Sequence, residues 1–317
     1  MRAAAMAVVV AGLGMGCGLP ELPDVAQPCG EWPEPGTYKF TVEVDGRTRK
    51  AEVYVPPTAG PRDLVVALHG GSSNADSFRA VTRLDQHALR ENFVAVFPQG
   101  RKALLWRAWN AGYCCGNLDE QHRDANDVAF LDKLVKELTP RVCGDRVLAV
   151  GFSNGGMMAN RWGCEGSEPD AIVAAAGPLL RSACEGEPRP FRQYHGLADR
   201  NVPFAGGEGK TGLTNFPPAI QGFESWKERN GCVDEDPEVF TFGPMTCERY
   251  PCKASTEQCT IQGWSHAWPG GRNAARLGSD ATTDMLDFLH QHVPPGGTAA
   301  TTEVPGDDID GDTGAGR

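Results

Sequence analysis

Val147-Leu148-Ala149-Val150-Gly151-Phe152-Ser153-Asn154-Gly155-Gly156 is the stretch on which the fold turns. Its opening apolar run, without alternation, reads as a strand buried on both faces. G-x-S-x-G follows, and the pattern from Gly155 to Trp162 is helical. Strand, G-x-S-x-G and helix in succession make a nucleophile elbow, a turn so tight that side chains at Gly151 and Gly155 would collide. Ser153 is then held in a strained conformation that lifts its hydroxyl above the sheet, at a helix start where the dipole favours developing negative charge. An inert Gly/Ser turn is the competing reading, and the flanking strand and helix argue against it.

Working outward, the continuous apolar runs Leu64 to Leu68, Phe93 to Phe97, Ile172 to Ala176 and the more mixed Phe191 to Tyr194 read as further buried strands. Tyr38 to Val44 and Thr48 to Val55 alternate around Asp45-Gly46, a strong hairpin signal, and read as edge strands. Helical patterns fall at Val81 to Glu91, Asp127 to Leu138, Gly155 to Trp162, Ile220 to Asn230 and Thr283 to Gln291. The alternation predicts an α/β domain over 37–293, with a mostly parallel central sheet and helices on both faces. Within it, 232–262 reads as a disulfide-pinned insertion followed by a last strand.

The ends read differently. Arg2 and the apolar run Ala3 to Met15 mark residues 1–17 as a signal peptide. Two cleavages fit, an ordinary one near Gly16 to Gly18 and a lipoprotein cut that leaves Cys17 as a lipidated first residue and membrane tether; the second is preferred. Residues 18–36, rich in Pro, Glu and Gly, read as a linker, and 294–317 as a disordered acidic tail. Setting Cys17 aside, ten of the 11 cysteines are left, an even set that in an exported chain suits disulfides. No zinc-type Cys/His spacing occurs, so no metal site is expected. The net charge of −11, with the basic residues scattered, argues against nucleic acid as a partner. Oligomeric state is not legible in the sequence.

A serine hydroxyl needs a base, and the base needs an acid to orient it. On this fold the order is Ser, Asp, His. His266 lies in the loop Gly263-Trp264-Ser265-His266-Ala267-Trp268-Pro269-Gly270-Gly271 and is the candidate base. His195 closes a strand, and His290 and His292 end the terminal helix, so none of these is chosen. Asp199 follows the strand Phe191 to Tyr194, in the loop beyond its carboxyl end and on the same sheet edge as Ser153; it is preferred as the acid over Asp170, Asp234 and Asp236. The backbone N–H groups of Gly71, in His69-Gly70-Gly71, and of Asn154 are the expected oxyanion-hole donors. His69 and Asp127 are assigned structural parts, Asp127 as a helix cap. Trp106, Trp109, Tyr113, Trp264 and Trp268 cluster near these loops, and Trp109, Trp264 and Trp268 are expected at the pocket wall against an acyl or sugar ring.

His69-Gly70-Gly71, Trp109-x-x-Gly112-x-Cys114-Cys115-Gly116, Asp127-Val128, the Ser153 elbow, His195-Gly196-x-x-Asp199 and His266-x-Trp268-Pro269-Gly270-Gly271 together resemble the secreted polyhydroxybutyrate depolymerase-like and feruloyl esterase-like hydrolases of carbohydrate esterase family 1. The resemblance spans about residues 38 to 292. It implies an α/β-hydrolase fold, no cofactor, and hydrolysis of carboxylic esters through an acyl-enzyme with Ser153, Asp199 and His266 as the triad. Trp264-Ser265 stand where relatives often carry glycines, and 232–259 is more elaborate; both bear on the substrate. The substrates expected are feruloyl or acetyl esters of polysaccharide, or polyhydroxyalkanoate oligomers, outside the cell or at its envelope. Two rivals are a catalytically silent carbohydrate- or polyester-binding lipoprotein and a peptidase of the same fold.

Overall fold

The computed structural model describes residues 19–22, 34–58, 60–103, 106–114, 124–212 and 214–295. The expected leader 1–17 with Cys17, most of the linker and all but the first two residues of the tail lie outside these residues.

Strands β1 (Gly36–Val44) and β2 (Arg47–Val55) form the expected hairpin. Asp45 and Gly46 both have positive φ, which suits the two-residue turn between twisted strands. Next come β3 (Arg62–Leu68), β4 (Val94–Pro98), the small ribbon of β5 (Arg101–Ala103) and β6 (Trp106–Ala108), and β7 (Gly144–Phe152). They are followed by β8 (Ala171–Ala175), β9 (Phe191–Gly196), a short ribbon of β10 (Gly207–Glu208) and β11 (Asn215–Phe216), then β12 (Glu238–Phe242), β13 (Met245–Tyr250) and β14 (Thr256–Ile261). The main sheet runs β1-β2-β4-β3-β7-β8-β9-β14-β13-β12. From β4 to β14 its strands are parallel, and antiparallel strands flank them on both sides.

Alternate residues of each parallel strand feed two cores. Leu64, Val66 and Leu68 of β3 pack under the helices Asp127–Val142, Asn154–Glu165 and Ala219–Arg229, with Phe130, Trp162 and Trp226. Val65 and Ala67 face the opposite side, under Ala75–Thr82, Leu84–Glu91 and Ala281–His292, with Phe78, Leu84 and Phe288. Two covered faces explain why these strands read as unbroken apolar runs. Among the described residues no helix is long and apolar enough to cross a membrane.

Several expectations are revised. The single helix expected over Val81 to Glu91 is two helices that meet at Arg83, whose left-handed backbone ends the first; the first begins at Ala75, where Asn74 accepts from Ser77 N–H at 2.9 Å. Asp127 does not cap its helix: Asn126 does, and the buried Asp127 carboxylate instead pairs with Arg49 at 2.7 Å and accepts the Asn110 N–H at 2.7 Å. Residues 20–22, expected in the linker, pair with β1 through Pro20 O and Leu22 N–H to Lys39, and Leu22 is buried in the core. In the 232–262 region, β12 and β13 extend the sheet antiparallel to β14, pinned by Cys247–Cys259 across β13 and β14 and by Cys232–Cys252. Cys164–Cys184 is a further bridge, and Cys114 and Cys143 are also disulfide-bonded.

Candidate active site

At the carboxyl end of β7 the chain turns through Ser153 (φ 56°, ψ −123°) straight into the helix Asn154–Glu165. The glycines are forced by space. A Cβ at Gly151 would lie 2.0 Å from the Gly155 carbonyl oxygen, and one at Gly155 would lie 2.0 Å from the Leu68 carbonyl oxygen. The strained serine is anchored on both sides: its N–H donates to Ala175 O at 2.8 Å, and its carbonyl accepts Met157 N–H at 2.9 Å. This cost of order 1–3 kcal/mol persists because the neighbouring strands and helix over-determine the turn.

The loop after β14 brings His266 to the serine, with Nε2 at 2.9 Å from Ser153 Oγ. The loop after β9 brings Asp199 to the other side of the ring, with Oδ2 at 2.6 Å from His266 Nδ1. The Asp199 side chain is fully buried, and its second oxygen accepts the N–H groups of Asn201 at 2.8 Å and Val202 at 3.0 Å. A carboxylate accepts only, so Nδ1 carries the ring proton and Nε2 is left as the acceptor facing the serine hydroxyl. The Phe152 ring lies 4.8 Å from the His266 ring, centroid to centroid. Ser153, His266 and Asp199 are thus brought into one hydrogen-bonded line.

The His69-Gly70-Gly71 turn lies against the elbow: a Cβ on Gly70 would sit 3.4 Å from Ser153 Cβ. Asn154 opens its helix, so its amide is among those with no intrahelical acceptor. Its buried side chain does something the sequence did not reveal, accepting Trp109 N–H at 2.7 Å and donating to Trp109 O at 3.1 Å. His69 holds the neighbouring loop, its Nδ1 2.8 Å from Gly70 O and its Nε2 accepting Gly100 N–H at 2.9 Å. Burial pushes its pKa down to about 4, so it is neutral, which suits the structural part assigned to it.

The three tryptophans expected at the pocket wall are placed elsewhere. Trp109, Trp264 and Trp268 are all buried, and their indole N–H groups are spent on His69 O (2.8 Å), Ala267 O (2.9 Å) and Thr282 Oγ1 (3.1 Å). Loops dense in Gly and Pro carry little apolar mass of their own, and these rings supply it from beneath. The exposed aromatics of the neighbourhood are Trp106 and Tyr113, each 59% exposed, on the segment after β4. That segment frames the elbow, since Arg107 O accepts Ser72 N–H at 2.8 Å and Trp109 is tied to Asn154. Among the described residues no group of three His, Cys, Asp or Glu could hold a metal ion.

A doubly covered parallel sheet with a G-x-S-x-G elbow at the carboxyl end of a central strand defines an α/β-hydrolase. Residues 50–177 match the family described as Esterase PHB depolymerase. The chain is 31% identical over 229 residues to feruloyl esterase B of Piromyces equi, an alignment that takes in 66% of this chain and 40% of that protein. It is 29% identical over 128 residues to feruloyl esterase B of Thermothelomyces thermophilus, 39% of this chain and 41% of that one. The chain therefore spans about two fifths of the length of these relatives. The solved acetyl xylan esterase from Aspergillus awamori superposes with a TM-score of 0.55 at 16% identity, covering 76% of this chain and 93% of that one, which is a likeness of fold. Residues 50–177 are thus similar to the Esterase PHB depolymerase family, on an α/β-hydrolase fold, and part of the chain is similar to feruloyl esterases.

Proposed function

We propose that the protein is a serine esterase that cleaves carboxylic esters through an acyl-enzyme. The observation that carries this reading is the line Ser153 Oγ, His266 Nε2 and Nδ1, Asp199 Oδ2, with links of 2.9 and 2.6 Å, set on a strained elbow. Ser153 attacks the ester carbonyl while His266 Nε2 takes its proton, and Asp199 stabilises the resulting imidazolium. The Gly71 and Asn154 amides receive the oxyanion, an arrangement in which one donor is worth on the order of 10²–10³ in turnover. His266 then returns the proton to the leaving alcohol, and water repeats the sequence to release the acid.

The substrate class we favour is an ester that carries a flat ring or a sugar: a feruloyl or acetyl ester of polysaccharide, with hydroxyalkanoate oligomers as the next candidate. Exposed Trp106 and Tyr113 beside the elbow support a ring-bearing substrate, because aromatic faces bind such groups well. We further read the protein as exported and tethered through Cys17; its disulfides suit an oxidising compartment. The test is release of p-nitrophenol from acetate and butyrate esters by the mature, oxidised protein beside its Ser153→Ala variant. Activity that vanishes in the variant supports the reading, and feruloyl, acetylated xylan and hydroxybutyrate substrates then rank the classes. Equal background from both folded proteins refutes it.

A further inference from the structure

The motif His195-Gly196-x-x-Asp199 contains a histidine that the proposed chemistry does not use. His195 is the penultimate residue of β9, is 1% exposed, and its Nε2 lies 3.8 Å from Asp199 Oδ2. Its Nε2 is 2.8 Å from Val202 O. A carbonyl only accepts, so Nε2 bears the proton in the neutral ring, and Nδ1 is the bare nitrogen; Nδ1 is buried without a hydrogen-bond partner. The ring also stands edge-on to Phe204, 5.4 Å between centroids.

We propose that His195 is a positioning residue, a buried neutral donor that holds the Asp199–Val202 turn so that the Asp199 carboxylate is aimed at His266. The proposal rests on the esterase reading of the site. Asp199 Oδ1 takes its two hydrogen bonds from Asn201 N–H and Val202 N–H, and His195 pins the carbonyl of that same Val202. Release of this carbonyl frees the turn to rotate, which carries the Val202 N–H off the carboxylate and loosens Oδ2 from His266. Neutrality matters as much as the bond. Two titratable groups face the ring, Asp199 beside it and His266 beyond, and a charged His195 would compete with His266 for the acid. Burial lowers the His195 pKa and keeps the ring neutral, outweighing the pull of the Val202 carbonyl and of Asp199.

The test compares His195→Leu, which removes the donor, with His195→Gln, whose side-chain N–H reaches toward the place of Nε2. Ester hydrolysis is followed over a pH series, with thermal melts of each variant. The leucine variant should lose on the order of 10²-fold in kcat, the scale of a misplaced catalytic group, with KM unchanged. Its acid limb of kcat/KM should move to lower pH, because a displaced carboxylate stabilises the His266 imidazolium less. The glutamine variant should restore both kcat and the limb. Leucine and glutamine variants that match the wild type in kcat and limb overturn the proposal, as does an equal loss in both with the limb unmoved and Tm lowered, the mark of a merely structural part. Where the leucine variant does not fold, His195→Asn, whose amide falls short of Val202 O, makes the same comparison with glutamine. Hydrolysis that persists in Ser153→Ala refutes the esterase reading itself, whereas hydrolysis that needs Ser153 yet ignores His195 overturns this proposal alone.

Discussion

Asn154 serves the site twice, and Asn154→Ala separates the two services. Its backbone N–H, the proposed oxyanion donor, survives the substitution. Its side chain is completely buried and closes a pair of hydrogen bonds on the Trp109 backbone, 2.7 Å to the N–H and 3.1 Å to the carbonyl. The Trp109 carbonyl keeps Ala111 N–H at 3.0 Å as a partner, so the group left orphaned by alanine is the Trp109 N–H. One buried donor without an acceptor costs about 1–3 kcal/mol, and loss of the second bond adds up to about 1 kcal/mol. A total of about 1–4 kcal/mol lowers Tm by about 2–8 °C, at about 2 °C per kcal/mol for a domain of this size. Turnover should fall as well, because the freed segment also carries Arg107, whose carbonyl holds Ser72 beside Gly71. The assay is a urea or thermal melt run beside ester kinetics. Asn154→Asp is the partner variant: its carboxylate keeps an acceptor for the Trp109 N–H but turns its second oxygen on the Trp109 carbonyl and buries a charge beside the oxyanion, so it should be no more stable than alanine and turn over more slowly. A stability loss below about 0.5 kcal/mol in Asn154→Ala, the range of an ordinary surface change, would show that the loop does not depend on this clamp.

Trp106→Ala should raise KM for feruloyl or sugar esters while leaving p-nitrophenyl acetate and Tm unchanged, whereas Trp268→Ala should cost about 3–5 kcal/mol of stability as a cavity mutation; a melt and two substrates tell the two apart. Stability should also depend on acid pH through Glu257. Burial alone would raise this carboxyl, but His292 at 3.6 Å and the guanidinium groups of Arg192 and Arg249 bring it from an ordinary 4.5 down to about 2. A depressed folded-state pKa gives stability that is present above pH 4.5 and lost as pH falls toward 2, on the order of 3 kcal/mol for this group. Chemical denaturation of wild type and Glu257→Gln between pH 6 and 2 checks this, and the variant's curve should be the flatter in that window.

The parallel strands, the Asp45-Gly46 hairpin and the Ser153 elbow were legible in the sequence because each is a local requirement. An unbroken apolar run has no other place than between two layers, and Gly151 and Gly155 are the residues a turn with 2.0 Å approaches can hold. The order of the serine, the acid and the histidine could be read as well, since strand succession on a parallel sheet fixes which loops share an edge. Their contact could not: Ser153 and His266 are 113 residues apart, and Asp199 and His266 are 67 apart, so the meeting is made by sheet order.

The tryptophans, Asn154 and His195 were decided by tertiary structure for the same reason. A loop sequence shows that an indole is near the site, but whether its face meets solvent depends on what lies underneath. At Trp109, Trp264 and Trp268 the protein itself accepts the N–H and covers the ring, and at Trp106 it does not. In the same way, the acceptors available to Asn154 and His195 are backbone groups of other loops, Trp109 and Val202, which no sequence pattern around either residue announces. Local sterics and hydrophobic period wrote the framework and the elbow into the sequence; the partners of buried polar groups, set by packing between distant segments, exist only in the folded chain.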